Sequence, residues 1–190
     1  GPDGHWLEPL TFLSVIAGAT ESVRLGTNIL LAALRRPAVL AKSLATLDVL
    51  SNGRVDLGVG VGWQKEEYDA CGLDFANRGR LLDHTLEVCQ TLWTQPSAQY
   101  SANELQFSDI HAMPKPLQNG GVPIWVSGTV NKLSMRRLAI FGCGWIPWGP
   151  DAIDITSGIE SMRKAVSAYG RDPDEIQVIG TLPITRNDDG

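Results

Sequence analysis

The sequence predicts an α/β fold in which parallel strands are joined by crossover helices. Two observations carry this. Short apolar runs alternate with amphipathic helical stretches about five times along the chain. Two of those runs are studded with glycine and bracket a single helix. Parallel neighbours need a crossover connection, so the alternation implies a doubly wound sheet or a (β/α)8 barrel. Gly58-Val59-Gly60-Val61-Gly62-Trp63 ends on tryptophan and runs into a polar segment, so it is not a dinucleotide fingerprint leading from strand into helix. The barrel is therefore preferred.

Each element has its own justification. Leu10 to Thr20 reads as a helix, with Leu10, Leu13, Ile16 and Ala17 on one face. Val23 to Leu30 reads as the first glycine strand, with Val23, Leu25 and Thr27 in one row. Pro37 is well placed at a helix start, and Leu40, Leu44 and Leu47 recur at helical spacing within Ala38 to Leu50. Ser51-Asn52-Gly53 stops that helix with turn residues. The second glycine strand, Val55 to Gly62, has Val55, Leu57, Val59 and Val61 in one row and Asp56, Gly58, Gly60 and Gly62 in the other. A row so nearly bare lets a flat ligand lie on the backbone, or marks tight backbone packing.

A polar segment, Trp63 to Asn77, leads to a helix over Gly79 to Trp93 whose stripe is Leu82, Leu86, Cys89 and Trp93. Thr94 to Gly121 is too long for an ordinary connection and is expected to be an insertion with structure of its own. Val122 to Ser127 is a short strand, Asn131 to Phe141 a helix ended by Gly142, and Gly144 to Trp148 another strand. Ile159, Met162, Val166 and Tyr169 mark a further helix, Gly170 to Pro173 a turn, and Ile176 to Ile184 a last strand. The 190 residues are expected to form one domain.

Composition narrows the function classes. A net charge of -5 without a Lys/Arg cluster argues against nucleic acid. No apolar run approaches the about 18–20 residues that span a bilayer. Cys71, Cys89 and Cys143 are scattered and odd in number, which fits a reducing cytoplasm and no metal site. The expected partners are a small-molecule substrate and further copies of the chain, with neither nucleic acid nor membrane.

Several runs together resemble the luciferase-like monooxygenase family. They are Arg24-Leu25-Gly26-Thr27, Arg36-Pro37-Ala38, Ala41 through Arg54, Leu57 through Trp63, Glu66-Glu67-Tyr68, Arg78-Gly79, Pro114-Lys115-Pro116, Pro123-Ile124-Trp125-Val126 and Gly144-Trp145. The flavour is closest to the branch that uses the deazaflavin coenzyme F420, with FMN as the other possibility. The resemblance implies a (β/α)8 barrel holding its cofactor at the C-terminal strand ends, where barrel active sites lie. It implies an oxidoreductase that transfers hydride or activates oxygen. A barrel takes about 250 residues, and the elements here resemble the second helix through the seventh strand. The chain is thus expected to be an internal stretch of about five βα units, with the family's acid and histidine residues outside it.

The resemblance also implies site residues. Asn28-Ile29 falls where the family has a non-proline cis peptide under the ring, and Gly60, Val61, Gly62 and Trp63 match the second cofactor-contacting strand end. Ser127, Gly128, Thr129 and Asn131 precede a helix and are expected to hold the cofactor phosphate. The alternative there is simple capping by Thr129 or Asn131. Arg24 and Asp56 are expected to pair structurally. Glu66 and Glu67 read as a solvated face, and His5, His84 and His111 are scattered. Trp145 and Trp148 are candidates for a substrate wall, against a default of core packing. No catalytic residue is assigned.

Overall fold

The computed structural model describes residues 4–180. Contacts divide the chain into two compact units between Trp125 and Val126.

The first unit opens with α1 (Pro9–Ala19). Glu8 caps it by accepting the Thr11 N–H at 2.7 Å, and Arg35 binds the same carboxylate at 2.7 Å. Burial works to raise this carboxyl, but those hydrogen bonds outweigh it and hold it near 2, well below the usual range. The strand expected over Val23 to Leu30 is much shorter. Only β1 (Leu25–Gly26) pairs in register with β2 (Val55–Val59), in parallel, Leu25 opposite Val55 and Gly26 opposite Asp56. Leu30 rejoins through an isolated parallel bridge to Val59. Val23 lies outside the ladder and is exposed, because its carbonyl accepts from the Arg54 guanidinium instead. Thr27 is buried and donates its hydroxyl to the Gly58 carbonyl at 2.8 Å, a bond that stands in for the missing ladder rung.

Arg54, just before β2, is buried with all five N–H donors placed. They go to Ser51 O, Ala17 O, Thr20 O, Thr20 Oγ1 and Val23 O at 2.6–2.9 Å. The side chain thereby caps the C-terminal carbonyls of α1 and ties that helix to the turn before β2. Between the glycine strands runs α2 (Pro37–Leu50), which buries Leu40, Leu44 and Leu47 and packs on α1. Asp48 of α2 is fully buried and accepts from Leu117 N–H, Gln118 N–H and Gln118 Nε2 at 2.8–3.2 Å. The expected Arg24–Asp56 pair forms at 2.5–2.6 Å, joined by Gln118 and by the Trp125 indole.

The polar segment contains α3 (Lys65–Ala70) and a 3-10 turn over Phe75–Asn77. It leads into α4 (Arg78–Thr94), whose stripe Leu82, Leu86, Cys89 and Trp93 is buried, largely on α2. Burial alone pushes the Cys89 thiol far up, so it stays protonated. The long connection holds an antiparallel hairpin, β3 (Ala98–Ser101) with β4 (Gln106–Ile110). Its Tyr100 hydroxyl donates to Glu87 at 2.9 Å and lies 2.9 Å from His84 Nδ1. Burial and then Glu87 push the Tyr100 phenol up to about 12. Leu57 N–H finds Pro123 O at 2.8 Å as the chain enters β5 (Ile124–Gly128), giving the order β1-β2-β5 in this unit.

The second unit continues the sheet order as β5-β6-β7. After β5 come α5 (Lys132–Phe141), β6 (Gly144–Pro147), a short α6 (Pro150–Ile153) that the periodicity does not show, and α7 (Ile155–Ser167). β7 (Gln177–Val178) runs parallel to β6, Gly144 opposite Gln177. The expected strand to Ile184 continues outside the described residues. Trp145 is fully buried and donates its indole N–H to Gly128 O at 2.9 Å, so it is core rather than a substrate wall. Trp148 is exposed. No helix among the described residues is long and apolar enough to cross a membrane.

Candidate functional site

In the first unit the structure brings the two glycine-strand ends together. Leu30 N–H donates to Gly58 O at 2.8 Å, and Gly60 N–H to Leu30 O at 3.4 Å. Asn28 and Ile29, immediately before this link, are exposed and half-buried, and their peptide bond is cis, the geometry the resemblance implies. Gly58 and Gly60 are buried. Val61 and Gly62 are half-buried, and Trp63 is 77% exposed.

The glycines here do different jobs. Gly62 has φ +70°, and a Cβ there would meet Leu31 Cδ2 at 2.9 Å. Its lack of a side chain answers to backbone conformation and to Leu31. Among the described residues, the N–H groups of Val61 and Gly62 meet no acceptor. Two adjacent half-buried donors at a strand end suit a planar ligand edge that carries carbonyl oxygens. The Val61 carbonyl is taken: the Tyr68 hydroxyl donates to it at 2.7 Å. Tyr68 was part of the family resemblance, but nothing in its spacing points to this role.

In the second unit, Ser127, Gly128, Thr129 and Val130 are half-buried, and Asn131 is exposed. Gly128 has φ +149° with Ser134 Cβ 3.5 Å from where its own Cβ would be. The Asn131 side chain accepts from Leu133 and Ser134 N–H at 3.0 Å each and so caps α5. Ser134 Oγ donates to Thr129 O at 2.5 Å. The Asp151 carboxylate accepts the Val130 N–H at 2.6 Å. Three donors of this segment are therefore occupied by the chain's own oxygens, and the capping alternative describes Asn131. The sequence gave no signal of Asp151, since its arrival depends on the turn at Gly149.

Glu66 and Glu67 stand on a largely solvated helix, His5 is exposed, and His84 and His111 belong to the hairpin region. Among the described residues no group of His, Cys, Asp or Glu is arranged to hold a metal ion.

A sequence model of a family described as luciferase-like monooxygenase matches residues 1–189. The chain belongs to that family. It is 35% identical over 174 residues to an uncharacterised protein of Mycobacterium tuberculosis, covering 90% of this chain and 61% of that one. It is 33% identical over 125 residues to the oxygenase component of a flavin-dependent trigonelline monooxygenase from Acinetobacter baylyi, covering 64% of this chain and 34% of that one. The solved structure of an F420-dependent secondary alcohol dehydrogenase, in complex with an F420-acetone adduct, superposes with a TM-score of 0.78 at 20% identity. That match covers 93% of this chain and 54% of the other, and it shows likeness of fold alone. The chain thus spans about three-fifths of the length of the first curated relatives it matches, 61% in the case above. The fold class read from the sequence, the α/β class of the (β/α)8 barrels with a mostly parallel sheet, is the one found. Within this luciferase-like family, flavin and deazaflavin are the cofactors that such relatives carry in their names.

Proposed function

We propose that this luciferase-like chain takes part in an oxidoreductase or monooxygenase reaction that depends on FMN or coenzyme F420. When bound, such a cofactor supplies hydride transfer, or in the FMN case oxygen activation, while the protein supplies binding and orientation. The observation that carries the reading is the pair of N–H donors at Val61 and Gly62, which meet no acceptor among the described residues. They end a strand whose row toward them is nearly bare. In this reading the two N–H groups hold a carbonyl edge of the ring. Thr27 and Leu30 keep the two strand ends together through Gly58 and Gly60. Asn28, Ile29 and Trp63 flank the ring.

For an anionic end of the cofactor, the second unit offers the segment Ser127 to Asn131. Thr129 and Lys132 N–H meet no acceptor among the described residues. A helix start favours an anion there, although the Asp151 carboxylate opposes one. The proposal includes a small-molecule substrate, assembly with further copies of the chain, and a cytoplasmic setting, which the unpaired cysteines support. A second reading, cofactor binding without catalysis, has one observation in its favour. Asn28, Ile29 and Gly60 to Trp63 include no acid or base side chain.

Titration of the purified protein with FMN and with a deazaflavin tests the binding. Gly60→Leu is expected to abolish uptake while leaving the helical circular dichroism intact. An unchanged titration for that variant removes this site. Turnover with a reduced cofactor then separates catalysis from binding alone.

A further inference from the structure

We infer that Tyr68 is the positioning residue of this strand end, an inference that rests on the cofactor reading above. Tyr68 sits on the short helix α3, is fully buried, and donates its hydroxyl to the Val61 carbonyl at 2.7 Å. Its ring packs edge-on against Phe75, with centroids 5.5 Å apart and planes at 79°. The Arg78 guanidinium lies 4.1 Å over the other side of this arrangement, on the Phe75 ring. The Tyr68 carbonyl also accepts from Cys71 N–H and Leu73 N–H at 3.0 and 2.9 Å. Both ends of the residue are therefore fixed, the hydroxyl by Val61 and the backbone by the turn after α3.

The consequence follows from peptide geometry. The Val61–Gly62 bond is not among the cis bonds of this structure. In a planar trans peptide the C=O and the following N–H point in opposite directions. Drawing the Val61 carbonyl onto the Tyr68 hydroxyl therefore turns the Gly62 N–H away from α3. Gly62, at φ +70°, has the conformational freedom to lose that orientation once the carbonyl is released. Tyr68 touches no ligand in this scheme. It sets the direction of a donor that does, and so sets how firmly the ring's carbonyl edge is held and how its electron density is polarised.

The test compares the unaltered protein with Tyr68→Phe, which keeps the buried ring and removes only the hydroxyl. FMN is titrated against both. Loss of one neutral hydrogen bond behind the donor is expected to weaken FMN about fivefold. The visible absorption band of the bound FMN is expected to shift toward that of free FMN, a change that altered packing remote from the ring does not produce. Equal affinity and an equal band overturn the inference while leaving the cofactor reading intact. Failure of the unaltered protein to take up FMN or a deazaflavin overturns that reading, and this inference with it. Amide exchange in the unaltered protein gives a check that survives a variant that does not fold. The Gly62 N–H is expected to become protected when FMN is added, and unchanged exchange there overturns the inference.

Discussion

Replacing Arg54 by methionine removes five hydrogen bonds while filling the space of the stem. The acceptors do not suffer equally. Thr20 is half-buried and Val23 exposed, so water can replace the guanidinium at both. Ala17 and Ser51 are buried, at 6% and 1% exposure, and their carbonyls lose a charged partner with little access to water. An unsatisfied buried acceptor costs about 1–3 kcal/mol, so the two together give about 4 kcal/mol. That is a large share of the roughly 5–15 kcal/mol that holds an ordinary domain folded. Thermal unfolding followed by circular dichroism should show the midpoint falling by about 8–16 °C, at about 2–4 °C per kcal/mol for a chain of this size. Arg54→Lys keeps the charge but offers three donors without the planar fork, and should lose roughly half as much. A methionine variant within 1 °C of the parent would refute the argument that this residue clamps α1 to the start of β2.

Other outcomes can be checked with similar means. Burial holds the His84 imidazole below its ordinary range, against the pull of Glu87 and with the push of Arg80. The unfolded chain then binds the proton more readily, so stability is full above about pH 6.5 and falls as the pH drops below it. Urea midpoints measured on either side of that value should differ, and His84→Gln should shrink the difference. Asp151→Asn removes a negative charge beside the Val130 N–H. If Ser127 to Asn131 takes the phosphate, the preference for FMN over riboflavin should rise in this variant and shrink in high salt; equal preference in parent and variant would place the anion elsewhere. Phe12 and Val15 expose apolar surface on the uncharged helix α1, at 45% and 67%. Sedimentation should therefore find the protein self-associated, and Val15→Lys should shift it toward the monomer; a parent that sediments as a monomer speaks against the assembly proposed here.

Much of the fold was legible because periodicity is local. The stripe of Leu82, Leu86, Cys89 and Trp93 repeats at helical spacing, and burial follows it. Asn52 and Gly53 announced their turn and both have positive φ. The Arg24–Asp56 pair could be expected because two parallel strands with the same alternation put those positions side by side. The first strand was overread. Val23 to Leu30 alternates well enough, but its ladder stops after Gly26, where the Thr27 hydroxyl takes the Gly58 carbonyl. A side chain that competes for a backbone acceptor leaves no trace in apolar spacing.

The candidate site divides along the same line. The sequence by itself determined which segments lie at the strand ends, since the glycine row and the family's runs are written in consecutive residues. It also determined that Asn131 has the chemistry of a cap. Only the tertiary structure decided which N–H groups remain available. Tyr68 reaches back seven residues to the Val61 carbonyl, and Asp151 crosses 21 residues to the Val130 N–H. Whether a backbone donor is satisfied depends on which acceptor the folded chain delivers within about 3 Å. That delivery is set by the packing of α3 and by the turn at Gly149, and no pattern of neighbouring residues encodes it.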